Sequence, residues 1–364
     1  MRIVVDALLY HPKSAGIGRY IESLLSAYIA KYQAADRLEI LALPGQTIAG
    51  AQMLYPSRSL QTSRSRLLYE QGVLPSWLSR RTYDVVHFPD YQLPIVRRVR
   101  HSVITVHDLV AFKYPQMFPK SQSLVKRELM SRSVKMADGI IVPSKATARD
   151  LQDILRVPPE KIAVIPHGVR PASCGRASQR RERPYFLAVG TIEPRKNFEG
   201  VIQAFAQFVH ETRLAGEVEL VVVGKKGWLY QPVLDAPARW HVKNAVSLLE
   251  YVPEDLLRSL YQHSLALVYP SFYEGFGLPV LEAMAYGTPV IASDRGALAE
   301  VCANAALIVD PTDIDQLAQS MMKIWQDPQL RKSLSQRGRQ RAQQYTWDRT
   351  VDLTREVYSQ VSTF

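Results

Sequence analysis

Short apolar runs alternate with helix-patterned stretches along the whole chain, and nothing else in the sequence restricts its fold so tightly. In the first half the runs are Ile3–Asp6, Leu38–Leu43, Val85–Phe88, Val103–Val106, Ile140–Val142 and Ala163–Ile165. Apolar periodicity predicts helices over Arg19–Tyr32, around Leu67–Leu78, over Ser121–Met136 and over Ala146–Leu155. The second half repeats the alternation with Phe186–Val189, Glu219–Val223, Val246–Leu248, Ala266–Tyr269, Val290–Ala292 and Ala306–Val309, helices falling between. Strand and helix in turn make parallel sheets with crossover helices, so the expected class is α/β, built as two parallel-sheet units. In such sheets ligands sit at the carboxyl ends of the strands, where strand order reverses. With two units, the default site is a cleft between them.

The length, 364 residues, suits two domains. The stretch from Ser173 to Glu182 has no apolar periodicity and reads as a linker. The expected division is therefore residues 1–172, a linker over 173–183 and a second domain over 184–345, with a last helix from Trp347 to Val361 after the Tyr345-Thr346 break. Cys174 and Cys302 are the only cysteines and lie far apart, which points to a reducing compartment and against a disulfide framework or a zinc site. No apolar run approaches the roughly 18 residues that span a bilayer. Ile3-Val4-Val5 meets Asp6 too early for a signal peptide, so a cytoplasmic protein is expected.

Charge is unevenly placed. Residues 1–170 hold 24 Lys+Arg against 13 Asp+Glu, so the whole +11 of the chain belongs to the first half. Arg58, Arg64 and Arg66, Arg80-Arg81, Arg97-Arg98 with Arg100, and Lys126-Arg127 make the clusters. Such a field suits an anionic membrane surface. No helix-turn-helix, zinc finger or RNA-recognition motif accompanies it, which makes nucleic acid the weaker partner.

The most specific local pattern is Glu274-Gly275-Phe276-Gly277-Leu278-Pro279-Val280-Leu281-Glu282, two carboxylates around a Gly-x-Gly-x-Pro turn between a strand and a helix. Gly275 and Gly277 let the backbone approach a ligand, and Pro279 suits a first helical position. Free N–H groups at such a helix start cradle phosphate, and flanking carboxylates accept hydrogen bonds from hydroxyls. Phosphate between polyols describes a sugar nucleotide. The plain alternative is a turn-capping Glu274 and a solvated Glu282. Gly190-Thr191-Ile192-Glu193-Pro194-Arg195-Lys196-Asn197 follows the first strand of the second half; two cations there, with Asn197 as N-cap, suit a pyrophosphate. Gly16-Ile17-Gly18-Arg19-Tyr20 opens the first long helix, and His107-Asp108 ends a strand. Asp313-Ile314-Asp315 imitates a metal-binding Asp-x-Asp but reads as a helix start.

These residues, in this order, closely resemble the retaining glycosyltransferases of family 4 and their E-x7-E signature. The resemblance covers essentially the whole chain. It implies the GT-B architecture, two Rossmann-like domains facing across a cleft, with the closing helix (346–364) crossing back onto the first. It implies that Gly16 and Gly18 face the donor diphosphate and that His107 lies near the transferred sugar and the acceptor, with Arg19 and Asp108 on the acceptor side. Arg195, Lys196 and the backbone of Gly275, Phe276, Gly277 and Leu278 would take the leaving-group charge, Glu274 sugar hydroxyls and Glu282 the ribose. Tyr251 and Val252 would lie beside the nucleobase. The family usually has arginine directly after the glycine of the second-domain loop; here Thr191 stands there, and Arg195 is the candidate replacement. His107, Arg195, Lys196 and Glu274 are the expected catalytic residues, and no metal is expected.

Within the family, Gly-Ile-Gly-Arg-Tyr, Val-His-Asp-Leu and Glu-Pro-Arg-Lys-Asn look like bacterial mannosyl- and rhamnosyltransferases of surface polysaccharide. The resemblance thus implies transfer of a mannose-type hexose from a GDP-linked donor to a glycan or lipid-linked glycan in lipopolysaccharide O-antigen assembly, peripheral at the inner membrane face. A sugar-nucleotide epimerase or hydrolase of the same fold is one alternative. A non-catalytic module binding anionic surfaces is another.

Overall fold

The structure, a computed structural model, describes residues 1–11, 16–56, 60, 62–96, 99–170 and 181–363. The expected residues Arg58, Arg97, Arg98 and Cys174, and the linker up to residue 180, lie outside them. The chain divides into two units, Met1–Gly168 with Thr346–Phe364, and Val169–Tyr345.

The first unit holds β1 (Arg2–Asp6), β2 (Arg37–Leu41), β3 (Gln52–Leu54), β4 (Val85–Phe88), β5 (Ser102–Thr105), β6 (Gly139–Val142) and β7 (Ile162–Val164). They form one parallel sheet in the order β3-β2-β1-β4-β5-β6-β7. The second unit holds β8 (Tyr185–Val189), β9 (Glu219–Val223), β10 (Val246–Leu249), β11 (Ala266–Tyr269), β12 (Val290–Ser293) and β13 (Leu307–Val309), in the order β10-β9-β8-β11-β12-β13, again all parallel. Central strands such as Tyr-Phe-Leu-Ala-Val and Glu-Leu-Val-Val-Val are buried throughout, as a sheet covered on both faces requires. Strand order therefore reverses between β1 and β4 in one unit and between β8 and β11 in the other.

Strand ends differ from the sequence expectation by a residue or two, and β3 is additional. It is a three-residue edge strand with no buried residue, so it carries no apolar run to read. The helix expected around Leu67–Leu78 comes as Ser63–Leu68, a π turn over Tyr69–Val73, and Leu74–Leu78. Pro75 has no N–H to return to the carbonyl of Gln71, and the ladder widens just before it.

The last helix, Trp347–Ser362, is part of the first unit. Its Val351, Val357, Tyr358 and Val361 share a core with Ile3, Val5, Tyr20 and Ile141. Arg355 pairs with the buried Asp36 at 2.7 Å, and the Tyr358 hydroxyl lies 2.6 Å from His87 Nδ1. Burying each such aliphatic side chain contributes about 1.5–3 kcal/mol, so the helix is held by its apolar face. In the second unit Arg181 and Arg183, the described end of the expected linker, both pair with Glu219 at the start of β9. Among the described residues no helix is long and apolar enough to cross a membrane.

Candidate functional site

The charged side chains of the second unit converge at the strand-order reversal. After β8, Gly190 and Thr191 lead into a single 3-10 turn, Pro194–Lys196; after β11, residues 270–277 lead into the helix Leu278–Tyr286. Phe272 donates its N–H to the Arg195 carbonyl at 2.9 Å, and Asn197 Nδ2 donates to the carbonyls of Pro270 (3.3 Å) and Pro311 (2.7 Å). The two loops are thus bonded to each other. Asn197 occupies the N-cap position of the helix Phe198–Thr212 in a left-handed conformation (φ 55°), and its side chain makes no capping bond; its Nδ2 instead ties the two loops together. Any Cβ on Gly224 would collide with the Gly190 carbonyl oxygen, so the loops after β8 and β9 meet backbone to backbone.

Four charges sit where the loops meet. Lys196 Nζ donates to Glu274 Oε1 at 2.5 Å and to the Tyr269 hydroxyl at 2.6 Å; that hydroxyl donates to the same Oε1 at 3.1 Å. Arg195 Nη1 lies 2.7 Å from Glu274 Oε2 and donates to the Tyr273 carbonyl at 3.0 Å. Its other edge reaches Glu193 Oε1 through Nη2 at 2.6 Å and Nε at 3.0 Å. The side chains are only 3% (Glu193) to 14% (Arg195) exposed. Burial by itself raises the Glu274 carboxyl, but the Arg195 and Lys196 cations outweigh it and hold it at about 2. Burial, reinforced by the neighbouring Arg195, lowers the Lys196 ammonium despite Glu274. Two cations and two anions make the cluster neutral overall, with both cations at the mouth of a helix start.

That start is shaped by Gly277, at φ 105° and ψ 52°, a left-handed conformation that favours glycine. Pro279 is the second helical residue rather than the first, and Leu278 precedes it. At this terminus the Val280 N–H donates to the Gly277 carbonyl at 3.0 Å, and the Leu278 N–H precedes any carbonyl that the helix could return to it. Phe276 is buried, its ring 5.8 Å from Tyr345. Glu282 stands apart from the cluster and accepts from the Tyr261 hydroxyl at 3.1 Å. Tyr251 is exposed after β10, under Lys225 Nζ at 5.6 Å, with Val252 half-buried. The Thr191 methyl packs against Gly227, in the loop after β9. Asp313 is the N-cap of the helix Ile314–Gln326, accepting from the Gln316 N–H at 2.8 Å.

In the first unit Gly16 (φ 59°) begins the helix Ile17–Tyr32, with Gly18 buried and Arg19 half-buried. Tyr20 meets the His107 ring edge-on at 4.9 Å. His107 Nε2 donates to the Pro89 carbonyl at 2.9 Å, since a carbonyl only accepts. Asp108 accepts from the Val110 N–H at 3.1 Å and so starts the next short helix. Behind them His87 bridges Thr105 (2.9 Å) and Tyr358, and burial, aided by His107, lowers it to about 3, a neutral ring at any ordinary pH.

Glu193 and Tyr269 complete the cluster but carry no motif of their own. Glu193 sits beside Arg195 in sequence, and Tyr269 ends an apolar strand where it passes for core.

Two family models match the chain: "Glycosyltransferase Family 4" over residues 16–173 and "Glycosyl transferases group 1" over residues 176–341. The O-antigen chain mannosyltransferase B of Escherichia coli is 32% identical over 296 residues, covering 78% of this chain and 76% of its own. The O-antigen chain mannosyltransferase RfbU of Salmonella typhimurium is 33% identical over 281 residues, covering 75% of each. Among solved structures, the glycosyltransferase WaaG, involved in lipopolysaccharide biosynthesis, superposes with a TM-score of 0.77 at 16% identity over 99% of both chains. Sucrose-phosphate synthase from Thermosynechococcus elongatus gives 0.79 at 20% identity over 99% of this chain and 98% of that one. These structures share its two-sheet GT-B fold, and with relatives this similar over three quarters of its length the chain belongs to the family 4 glycosyltransferases.

Proposed function

We propose that the enzyme transfers a mannose-type hexose, with retention, from a GDP-linked donor to a glycan or lipid-linked glycan of a growing O-antigen. The single observation that carries the reading is the buried cluster of Glu193, Arg195, Lys196 and Glu274 beside the start of the helix Leu278–Tyr286. Breaking the bond to the anomeric carbon leaves growing negative charge on a diphosphate. Lys196, Arg195 and the N–H groups around Gly277 and Leu278 are donors fixed in advance for that charge, each worth about 3–4 kcal/mol in a transition state. Glu193 and Glu274 neutralise them in the free enzyme and keep both head groups aimed. Glu274 reaches sugar hydroxyls from the same position, Glu282 the ribose and Tyr251 with Val252 the base. Cations and helix N–H groups do the work a metal would otherwise do. The two relatives named O-antigen chain mannosyltransferases favour a mannose-type sugar.

An anionic bilayer as working surface is supported by the basic balance of residues 1–170 and by apolar side chains among those charges. On the helix Lys120–Met136 Leu124 is 65% and Val125 51% exposed, next to Lys120 and Arg127; Leu68 and Val96 are exposed by 73% and 77%. Thermal shift against GDP, UDP, dTDP and ADP, with turnover of GDP-mannose in excess EDTA, tests the reading. A ligand at 100 times its Kd adds about 2.7 kcal/mol, so GDP raises Tm most. A larger shift with another nucleotide overturns the GDP donor, and activity restored only by manganese overturns the metal-free chemistry.

A further inference from the structure

Arg195 and Lys196 are held in different ways, and the difference singles out Tyr269. The Arg195 guanidinium is planar and meets three acceptor groups, Glu193, Glu274 and the Tyr273 carbonyl. A lysine head group is a compact ammonium on a flexible four-carbon stem, with three rotatable donors and no plane of its own. Its position is set by what surrounds it. The Lys196 stem lies against Gly190, where a Cβ would stand 3.3 Å from Cε and 3.5 Å from Cδ. The head is fixed by two acceptors, Glu274 Oε1 at 2.5 Å and the Tyr269 hydroxyl at 2.6 Å.

The chemistry of each group assigns the roles in this triangle. An ammonium only donates, so the Tyr269 oxygen accepts from Lys196. Burial pushes the Tyr269 phenol well up, so it keeps its hydrogen, and that hydrogen goes to Glu274 Oε1 at 3.1 Å. The carboxylate therefore orients the hydroxyl, and the hydroxyl turns a lone pair to the ammonium. Tyr269 itself has little freedom. It ends β11, pairs with Ala292 in the neighbouring strand and is 2% exposed. Its ring also lies 4.8 Å from Nζ, measured to the centroid. Among the described residues these two acceptors take two of the three ammonium donors, and the third stays for an incoming oxygen. Glu274 alone would hold the ammonium less well in the reaction, because a diphosphate competes with a carboxylate for the same cation. The neutral hydroxyl remains bonded as that exchange occurs.

We propose that Tyr269 is a positioning residue of the transfer reaction and acts through Lys196. Its hydroxyl keeps the ammonium in place as the leaving diphosphate draws charge away from Glu274, so the cation needs no reorientation when that charge develops. The inference rests on the donor chemistry proposed above and adds a residue to it. A donor fixed in advance acts in the transition state, so loss of the hydroxyl falls on kcat and not on donor binding.

Tyr269→Phe removes the hydroxyl and leaves the ring in the core. GDP, UDP, dTDP and ADP are first compared by thermal shift on wild type. The sugar nucleotide of the diphosphate that binds (GDP-mannose, UDP-glucose, dTDP-rhamnose or ADP-glucose) is then turned over with water as acceptor, and released nucleotide is counted from radiolabelled donor. Tyr269→Phe is expected to lower kcat about tenfold or more, with the donor KM within about threefold of wild type. In a Lys196→Ala background the same replacement should change kcat by less than about threefold, since no ammonium is left to hold. Tyr269→Met takes its place if Tyr269→Phe does not fold. A kcat within about threefold of wild type, a loss confined to KM, or an equal loss in the Lys196→Ala background overturns the inference. A wild type that neither shifts with any nucleotide nor turns over any donor counts against the donor reading, and the inference falls with it. A wild type that turns donor over, with Tyr269→Phe unimpaired, counts against Tyr269 alone.

Discussion

Replacing Glu274 by glutamine keeps the shape of the cluster and removes one of its two negative charges. Arg195 and Lys196, at most 14% exposed, are left with Glu193 alone, so a net positive charge stays buried. Two routes give its cost. The fall of the carboxyl from 4.5 to about 2 corresponds to about 3 kcal/mol of folding stability at neutral pH. Removing one member of a buried pair costs about 3–5 kcal/mol. The ligand-free variant should therefore be destabilised by about 3–4 kcal/mol, roughly 6–15 °C in Tm for a unit of this size. The sign of the pH dependence follows. A depressed carboxyl contributes its stability above its unfolded value and loses it as pH falls through the folded one. Wild type should accordingly lose stability between about pH 4.5 and 2, and Glu274→Gln should lack that loss. A nucleoside diphosphate returns negative charge to the cations, so its stabilisation should be larger in the variant, while turnover falls. Differential scanning calorimetry at pH 7 and pH 3, with and without nucleotide, reads all of this. A ligand-free variant within about 1 kcal/mol of wild type at pH 7, or with an unchanged nucleotide shift, would refute the charge-balanced cluster.

Lys196→Ala should lower turnover a hundredfold or more, about 3 kcal/mol, in a donor-saturated assay; Arg195→Ala should match it and also destabilise, because Glu193 and Glu274 both lose a partner. Gly224→Ala should cost at least about 3 kcal/mol in denaturant unfolding, since its methyl would occupy the Gly190 carbonyl oxygen; near-wild-type stability would show that the loops yield. Leu124→Ser with Val125→Ser should weaken cosedimentation with anionic but not neutral vesicles, and the wild-type binding should fall as salt rises. Glu70, faced by Asp6, Arg66 and Asp90, has a raised carboxyl, so wild type should lose stability relative to Glu70→Gln as pH climbs from about 4.5 towards 9; parallel unfolding curves over that range would contradict it.

Sequence carried the sheets because parallel strands buried on both faces are apolar end to end: Tyr185–Val189 and Glu219–Val223 can be read off directly. The half-exposed edge strand Gln52–Leu54 offers no such run. Arg195, Lys196 and Glu274 could be singled out because each falls in a loop that follows a strand, with Pro194 beside Arg195 and Gly275 beside Glu274. What sequence did not carry is who pairs with whom. Glu274 lies 78 positions from Lys196, and the bond between them exists only because β8 and β11 are neighbours in the sheet. Glu193 and Tyr269 were hidden for the same reason. Asn197 looked like a helix cap on propensity, but it sits in a left-handed conformation without a capping bond, and its Nδ2 donates to carbonyls at 270 and 311 that only the fold brings near.

The two units place carboxylates at the same topological position and set them in opposite electrostatic states. At the β8/β11 reversal two cations hold Glu274 ionised at about 2; at the β1/β4 reversal a single misaligned arginine faces the buried Glu70, with Asp6 and Asp90 nearby, and burial pushes the Glu70 carboxyl up to about 9. A neutral cluster whose cations can exchange carboxylate for phosphate suits a charged leaving group. The contrast lies in how many cations stand beside each carboxylate: Arg195 and Lys196 both contact Glu274, whereas Arg66 is the one described cation paired with Glu70.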